Sequence, residues 1–332
     1  MIKNNRSKKV IALLLTLIVL TTGCTKYLQG NDKRRITNEV TGQAITSNIL
    51  CLPKSEELLN IYETNKDNLD VDYNKLKPCE KFSLSDVKYN SLWETLFVKP
   101  LAWCIIKVGN FVHNYGIAVM ILGILIRLVL YPLTKKSLST SENMKKAQPE
   151  LQAIQKKYNN STNDKLQATM MTQELMQVYK KYGINPASGC LVAFIQLPIL
   201  LAFLEAINRV PAIFEGYLLT MQLGTSPYVG IKNGNLLYIV LIVLIIVTTY
   251  FSYKNSMNGT GGTGAPESQM NSMMKFMVVF IAIASLTLPT ALALYWIVSN
   301  GSMIIQNIII KKSLESNKST GKVIKNKNKK RK

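Results

Sequence analysis

Residues 236–247 read Leu-Leu-Tyr-Ile-Val-Leu-Ile-Val-Leu-Ile-Ile-Val, an apolar run without a single charge. A buried strand of a soluble core is about half as long, whereas a bilayer crossing needs ~20 mostly apolar residues. Extended to 235–253, the run reads as a membrane-spanning helix. Four further stretches have the same character: 115–133, 187–205, 272–288 and 290–310. Only Pro289 separates the last two, which predicts a tight hairpin. The expected fold is an all-α membrane protein with five transmembrane helices.

The composition agrees. Of 332 residues, 48% are hydrophobic. That length would allow two soluble domains, but such apolar runs exclude them. The net charge of +21 points to nucleic acid or to an anionic membrane surface, and its placement decides between them. Residues 24–100 hold 11 basic and 11 acidic side chains, so that region is neutral. The excess lies in 1–10, in 134–186 and in the tail 311–332, where ten Lys or Arg face Glu315 alone. Short-loop Lys and Arg mark the cytoplasmic side. The segment joining spans one and two has nine, whereas the segment joining spans two and three has only Arg209 and Lys232. This predicts a multi-pass protein of the bacterial cell membrane, with the N-terminus outside and the C-terminus cytoplasmic.

The N-terminus supports that orientation independently. Lys3, Arg6, Lys8 and Lys9 precede an apolar run at 10–20 and then Thr21-Thr22-Gly23-Cys24. Residues 1–23 read as a secretory signal peptide. The small residues before Cys24 resemble a lipobox, with Thr21 where Leu is usual. Cys24 is therefore the expected lipidation site, palmitate being the expected acyl chain. The plainer alternative is an uncleaved first helix. Residues 24–91 form a polar extracytoplasmic segment, read as partly helical or loosely ordered. Whether Cys51 and Cys79 pair there is left open by spacing alone. No CxxC pair exists and His113 is the only histidine, so no metal or cofactor is expected.

Two further segments have internal order. In 92–114, Trp93, Leu96, Phe97, Leu101, Trp103 and Cys104 recur near helical spacing, interrupted by Pro100. This is the pattern of an interfacial amphipathic helix ending at His113. In 134–186, Met144, Ala147, Leu151, Ile154 and Tyr158 alternate spacings of three and four. Ala168, Met171, Leu175, Val178 and Tyr182 do the same, with the turn-rich 159–164 (NNSTND) between the two series. They predict a cytoplasmic antiparallel helical hairpin, with Pro149 near the start of its first helix.

Arg127 is the most informative residue. It lies in the first span, ~9 Å from the cytoplasmic end at 1.5 Å per residue. An arginine near the middle of a span costs at least ~2.5 kcal/mol, so it faces water or a partner. A water-facing Arg127 is expected, against the plainer alternative of snorkelling to the interface. Gln196, Thr248, Thr249, Ser299, Asn300 and Gln306 lie at comparable depths, and Tyr295 and Trp296 are candidate walls. Together these would line a hydrated groove. Helix-to-helix hydrogen bonding is their plainer role.

These residues carry a family pattern. Arg127-Leu128-Val129-Leu130-Tyr131-Pro132-Leu133, followed by Met144 and Gln148-Pro149-Glu150, resembles YidC-type membrane protein insertases. Gly183-Ile184-Asn185-Pro186, Gly189-Cys190 and Gln196-Leu197-Pro198 continue the resemblance, as do Leu294-Tyr295-Trp296, Ser299-Asn300 and Gln306. The landmarks keep the family's order over 115–310, and the lipoprotein-like start resembles the five-span forms of Gram-positive bacteria. The resemblance implies a groove open to cytoplasm and lipid, in which Arg127 attracts acidic residues of a client's tail. It implies nascent membrane-protein clients as partners. The basic tail would hold a ribosome or anionic lipids, and the Sec translocon is a further expected partner. Residues 25–90 have no counterpart in the pattern.

Rival classes fit less well. A channel or transporter would need polar residues through the full membrane thickness or an inverted repeat. The chain has no HExxH, no GxSxG and no paired intramembrane carboxylates, so an enzyme is not expected. The Gly-rich 258–264 lacks the lysine of a phosphate loop and reads as a linker.

Overall fold

The apolar runs form helices because a helix keeps its backbone groups bonded within the segment, as a bilayer requires, and Ser188–Arg209 does so even with Pro198 inside it. A computed structural model describes residues 25–30, 32–39, 41–85, 91–158, 165–185, 188–257 and 267–329. The signal region with Cys24, the turn at 159–164 and the Gly-rich loop lie outside the described residues. In order come α1 (Glu56–Thr64), a π-turn (Glu94–Val98), α2 (Lys99–Val112), α3 (Tyr115–Val129), α4 (Tyr131–Tyr158) and α5 (Lys165–Lys181). Then follow α6 (Ser188–Arg209), α7 (Pro211–Glu215), β1 (Tyr217–Leu218), β2 (Met221–Gln222), α8 (Pro227–Lys232), α9 (Leu237–Met257), α10 (Glu267–Thr287) and α11 (Thr290–Lys329). The described residues are mostly helical, with one short antiparallel hairpin among them, β1–β2, that the all-α expectation did not contain.

Among the described residues, three helical segments are long and apolar enough to cross a membrane: Glu94–Val112, Leu237–Lys254 and Thr290–Leu314. A fourth is a broken pair, α3 with α4, bent by 59°. The break at Leu130 falls three residues before the expected end of the first span. Pro132 accounts for it, because proline has no N–H for the carbonyl of Leu128 and suits the first turn of a new helix. The segment read as interfacial is itself one of these three. Its π-turn precedes Pro100 directly, with Lys99 N–H bonded back to the Glu94 carbonyl. The wider turn accommodates a ring that a regular α-turn would reject. The last helix does not stop at Ile310 but continues to Lys329. No proline interrupts it, and Lys and Leu are good helix formers.

The chain divides into two compact units. The first comprises the described parts of Met1–Gly123, with Gln196–Val243 and Ala284–Trp296. Here the described parts of 25–85 hold helix α1 and short paired segments. Three short antiparallel passes pair Tyr27 with Thr46, Gln29 with Arg35 and Thr37 with Ala44. Leu28, Ile45, Ile49, Leu58 and Tyr62 form their core. Ser55 caps α1, and Glu56 and Glu57 complement its dipole. A disulfide joins Cys51 to Cys79, settling the pairing that spacing left open.

This small body is tied to the end of α6. Leu50 N–H donates to the Arg209 carbonyl at 2.8 Å, and Thr46 Oγ1 donates to that of Asn208 at 2.7 Å. The Glu215 carboxylate accepts from the Lys54 and Ser55 amides. Arg209 is 1% exposed; its Nε donates to the Asn48 carbonyl at 2.7 Å and its Nη2 to Glu94 Oε1 at 2.8 Å. Lys99 Nζ lies 3.5 Å from the same Glu94 oxygen.

The second unit comprises Ile124–Ile195, Leu244–Ile283 and Ile297–Lys332. In it α4 and α5 pack as an antiparallel pair around Met144, Ala147, Leu151, Val178, Tyr179 and Ile184. Ile154, Leu175 and Tyr182 flank that core, but Ala168 is exposed and Met171 only half-buried. The seam therefore ends earlier on α5 than the periodicity suggested. Two ion pairs mirror each other across it, Lys181–Glu150 and Lys157–Glu174, each at 2.7 Å. Hydrogen bonds from Lys181 and Tyr182 hold the Glu150 carboxyl below the usual carboxylate range.

Pro149 does not start a helix. It lies exposed within α4, which runs through it from Tyr131. The seam on either side, Ala147 and Leu151, keeps the helix together despite the missing N–H. A proline in a helix interior is about 3 kcal/mol less favourable than alanine. Pro149→Ala is therefore expected to stabilise the hairpin by up to about that amount, read as slower amide exchange over 144–158. Unchanged or faster exchange would contradict a continuous α4.

Candidate functional site

In the second unit, α3 carries Arg127 into the protein. Its side chain is 4% exposed and engages protein groups. Nε donates to Ser299 Oγ at 2.7 Å, and Nη1 lies 3.6 Å from Met303 Sδ. Neither of these partners carries charge. The Arg127 carbonyl is also held. Because α3 ends at Val129, that carbonyl is among the helix's last four, which lack an intrahelical partner. Gln306 Nε2 fills the role at 2.8 Å. Ser299, Met303 and Gln306 follow one another at helical spacings of four and three, so a single face of α11 grips Arg127 by side chain and backbone.

Asn300, one residue round the helix, donates to Thr249 Oγ1 of α9 at 2.9 Å. Thr249 is fully buried. Thr248 is not drawn into this set; its hydroxyl bonds back to the Leu244 carbonyl at 2.7 Å. Two buried oxygens of this unit, Gln306 Oε1 and Ser252 Oγ, have no hydrogen-bond partner among the described residues.

In the first unit, Gln196 Nε2 donates to the Tyr295 hydroxyl at 3.0 Å. Tyr295 stacks on Phe203, ring centroids 4.1 Å apart. Trp296 is buried at 7% exposure. Met303 and Phe203 escaped the sequence reading, which searched for polar atoms. The stripe through Ser299 and Gln306 would have found Met303. Nothing in the sequence marks Phe203 apart from its apolar neighbours.

Residues 107–318 match the family model described as 60Kd inner membrane protein. The chain belongs to that family. Its relatives are the YidC-type insertases. It is 36% identical over 233 residues to "Membrane protein insertase YidC" of Oceanobacillus iheyensis, covering 69% of this chain and 87% of the relative. It is 35% identical over 237 residues to "Membrane protein insertase MisCA" of Bacillus subtilis, covering 69% and 85%. A crystal structure titled as an active YidC insertase with its first transmembrane domain resolved aligns at 26% identity and a TM-score of 0.47, over 66% of this chain and 46% of that one. Residues 25–85, with the disulfide-bonded body, lie outside the 60Kd match.

Proposed function

We propose that the protein is a membrane protein insertase working through a hydrated, cytoplasm-open cleft around Arg127. The observation that carries the cleft is the pair of buried oxygens, Gln306 Oε1 and Ser252 Oγ, in the unit that holds Arg127. Buried polar atoms without a protein partner are normally served by ordered water. A cation in a water-filled, low-dielectric cleft attracts an acidic client tail more than bulk water allows. The tail is drawn partway across, and the client's apolar segment then moves into lipid, driven by hydrophobic transfer. No nucleotide is required for that step.

The proposed topology has five spans, 115–133, 187–205, 235–253, 272–288 and 290–310, with the α4–α5 hairpin in the cytoplasm and residues 25–85 outside. The Lys and Arg distribution supports it. Segment 92–114 lies at the outer interface in this reading. Lys107 is exposed on α2, as is Phe111 at 84%, a pairing that suits a helix half in water and half in lipid. Cys24 is the proposed lipid attachment site. The basic end of α11 is suited to ribosomal RNA or to anionic lipid. Nascent membrane proteins are the proposed clients, with the Sec translocon as a further partner.

Reconstitution tests this reading. Liposomes containing the purified protein are expected to insert a radiolabelled single-span client with a short acidic outer tail, scored by protease protection. Protein-free liposomes are expected to leave most of it accessible. Equal protection with and without the protein would refute the proposal.

A further inference from the structure

Two asparagines of the first unit have the same double role. Asn114 Oδ1 accepts from Ile117 N–H at 3.0 Å, capping α3, while its Nδ2 donates to the Tyr217 carbonyl at 3.0 Å. Asn235 Oδ1 accepts from Leu237 N–H at 3.1 Å, capping α9, while its Nδ2 donates to the Thr220 carbonyl at 3.0 Å. The β1–β2 hairpin is thus slung between the starting ends of two apolar helices. Leu223 N–H closes its base on the Gly216 carbonyl at 2.9 Å, and the Tyr238 hydroxyl accepts from Gln222 N–H at 3.0 Å. A side chain in place of the hydrogen at Gly116 would meet Leu218 and Leu223. The hairpin is therefore fixed against α3.

Its tip is unusual. Leu218 pairs with Met221, leaving a two-residue loop of Leu219 and Thr220. Leu219 adopts φ +56°, a conformation that such loops normally give to Gly, Asn or Asp. Its side chain is 78% exposed. A strained, outward leucine contributes little to folding in water. Apolar side chains on the hairpin and on the segments leading to its two asparagines are exposed as well: Tyr217 at 54%, Leu236 at 70% and Phe111 at 84%. From Gly216 to Ile231 the chain has no Asp, Glu, Lys or Arg.

We propose that the hairpin tip at Leu219 is a lipid anchor seated in the outer leaflet of the membrane. The helix ends that hold it fix its depth at the level where α3 and α9 enter the bilayer. An uncharged tip bearing Leu and Tyr matches the acyl–headgroup boundary, where such side chains partition. The sidedness rests on the topology proposed above; the immersion does not.

The test uses the full-length protein in phosphatidylethanolamine–phosphatidylglycerol vesicles. The environment-sensitive dye NBD is attached to Leu219→Cys, or to Glu63→Cys as the aqueous reference, with the free cysteines replaced by serine and Cys51 and Cys79 retained. Expected is blue-shifted emission at 219, quenched several-fold more by nitroxide lipids labelled near the headgroup than at 63. Emission and aqueous iodide quenching equal at the two sites would overturn the anchor. Immersion with dithionite access from the cytoplasmic side alone would overturn the outer-leaflet assignment and the topology, while leaving immersion intact. Leu219→Gly supplies a second readout. The thermal midpoint in detergent is expected to be unchanged or higher, since glycine relieves the backbone. A clearly lower midpoint would mean that Leu219 serves folding, against the proposal.

Discussion

Arg127→Glu is expected to reduce client insertion by two to three orders of magnitude, whereas Arg127→Lys retains much of it. Two unit charges ~4 Å apart attract by about 4 kcal/mol at an effective dielectric constant near 20. A tenfold rate change corresponds to about 1.4 kcal/mol. Loss of that attraction alone therefore accounts for the expected range, and repulsion adds to it. Lysine keeps the charge but not the guanidinium's several donors, so the bonds to Ser299 and Met303 are not reproduced together. Arg127→Ala is expected to fall between the two. Depletion of the protein followed by rescue with each variant, with client insertion as the readout, measures the order. Full rescue by Glu would contradict charge attraction.

The second large effect concerns stability. Glu94 receives Arg209 at 2.8 Å and Lys99 at 3.5 Å, all three nearly buried. Glu94→Ala would leave two cations side by side without this carboxylate. Breaking a buried ion pair from one side costs about 3–5 kcal/mol. The loss should be felt in residues 25–85, because Arg209 also holds the Asn48 carbonyl. Expected are a lower thermal midpoint in detergent and faster proteolysis of that body. Replacing all three together, as Glu94→Leu, Lys99→Leu and Arg209→Met, should be far milder, since apolar substitutes carry no desolvation cost. A Glu94→Ala midpoint equal to wild type would contradict the role of the cluster.

The helical fold was legible because bilayer helices depend on run length and charge, both of which are local properties of the sequence. Arg127 was legible for the same reason: a charge among apolar residues is conspicuous. Its burial was not, because that depends on which face of α11 meets α3. Pro149 was misplaced where a local rule was applied to a helix stabilised by packing. Residues 25–85 read as partly helical or loosely ordered because their core is small and scattered along the chain, with Leu28 meeting Tyr62 and Cys51 meeting Cys79. The Arg209–Glu94–Lys99 cluster joins positions over a hundred residues apart, and no spacing rule connects them. Leu219 gave no signal at all, since its meaning lies in a backbone angle and in two asparagine side chains.

The central claim is that Arg127 acts on clients through its charge. Proteoliposomes test it most directly by charge exchange. Arg127→Glu is paired with a client whose tail acid is replaced by lysine, and protease protection is compared with the two single changes. Recovery of protection in the exchanged pair, well above either single change, is the expected result. Equal loss in the exchanged pair and in Arg127→Glu alone would show that Arg127 serves the fold and does not attract the client.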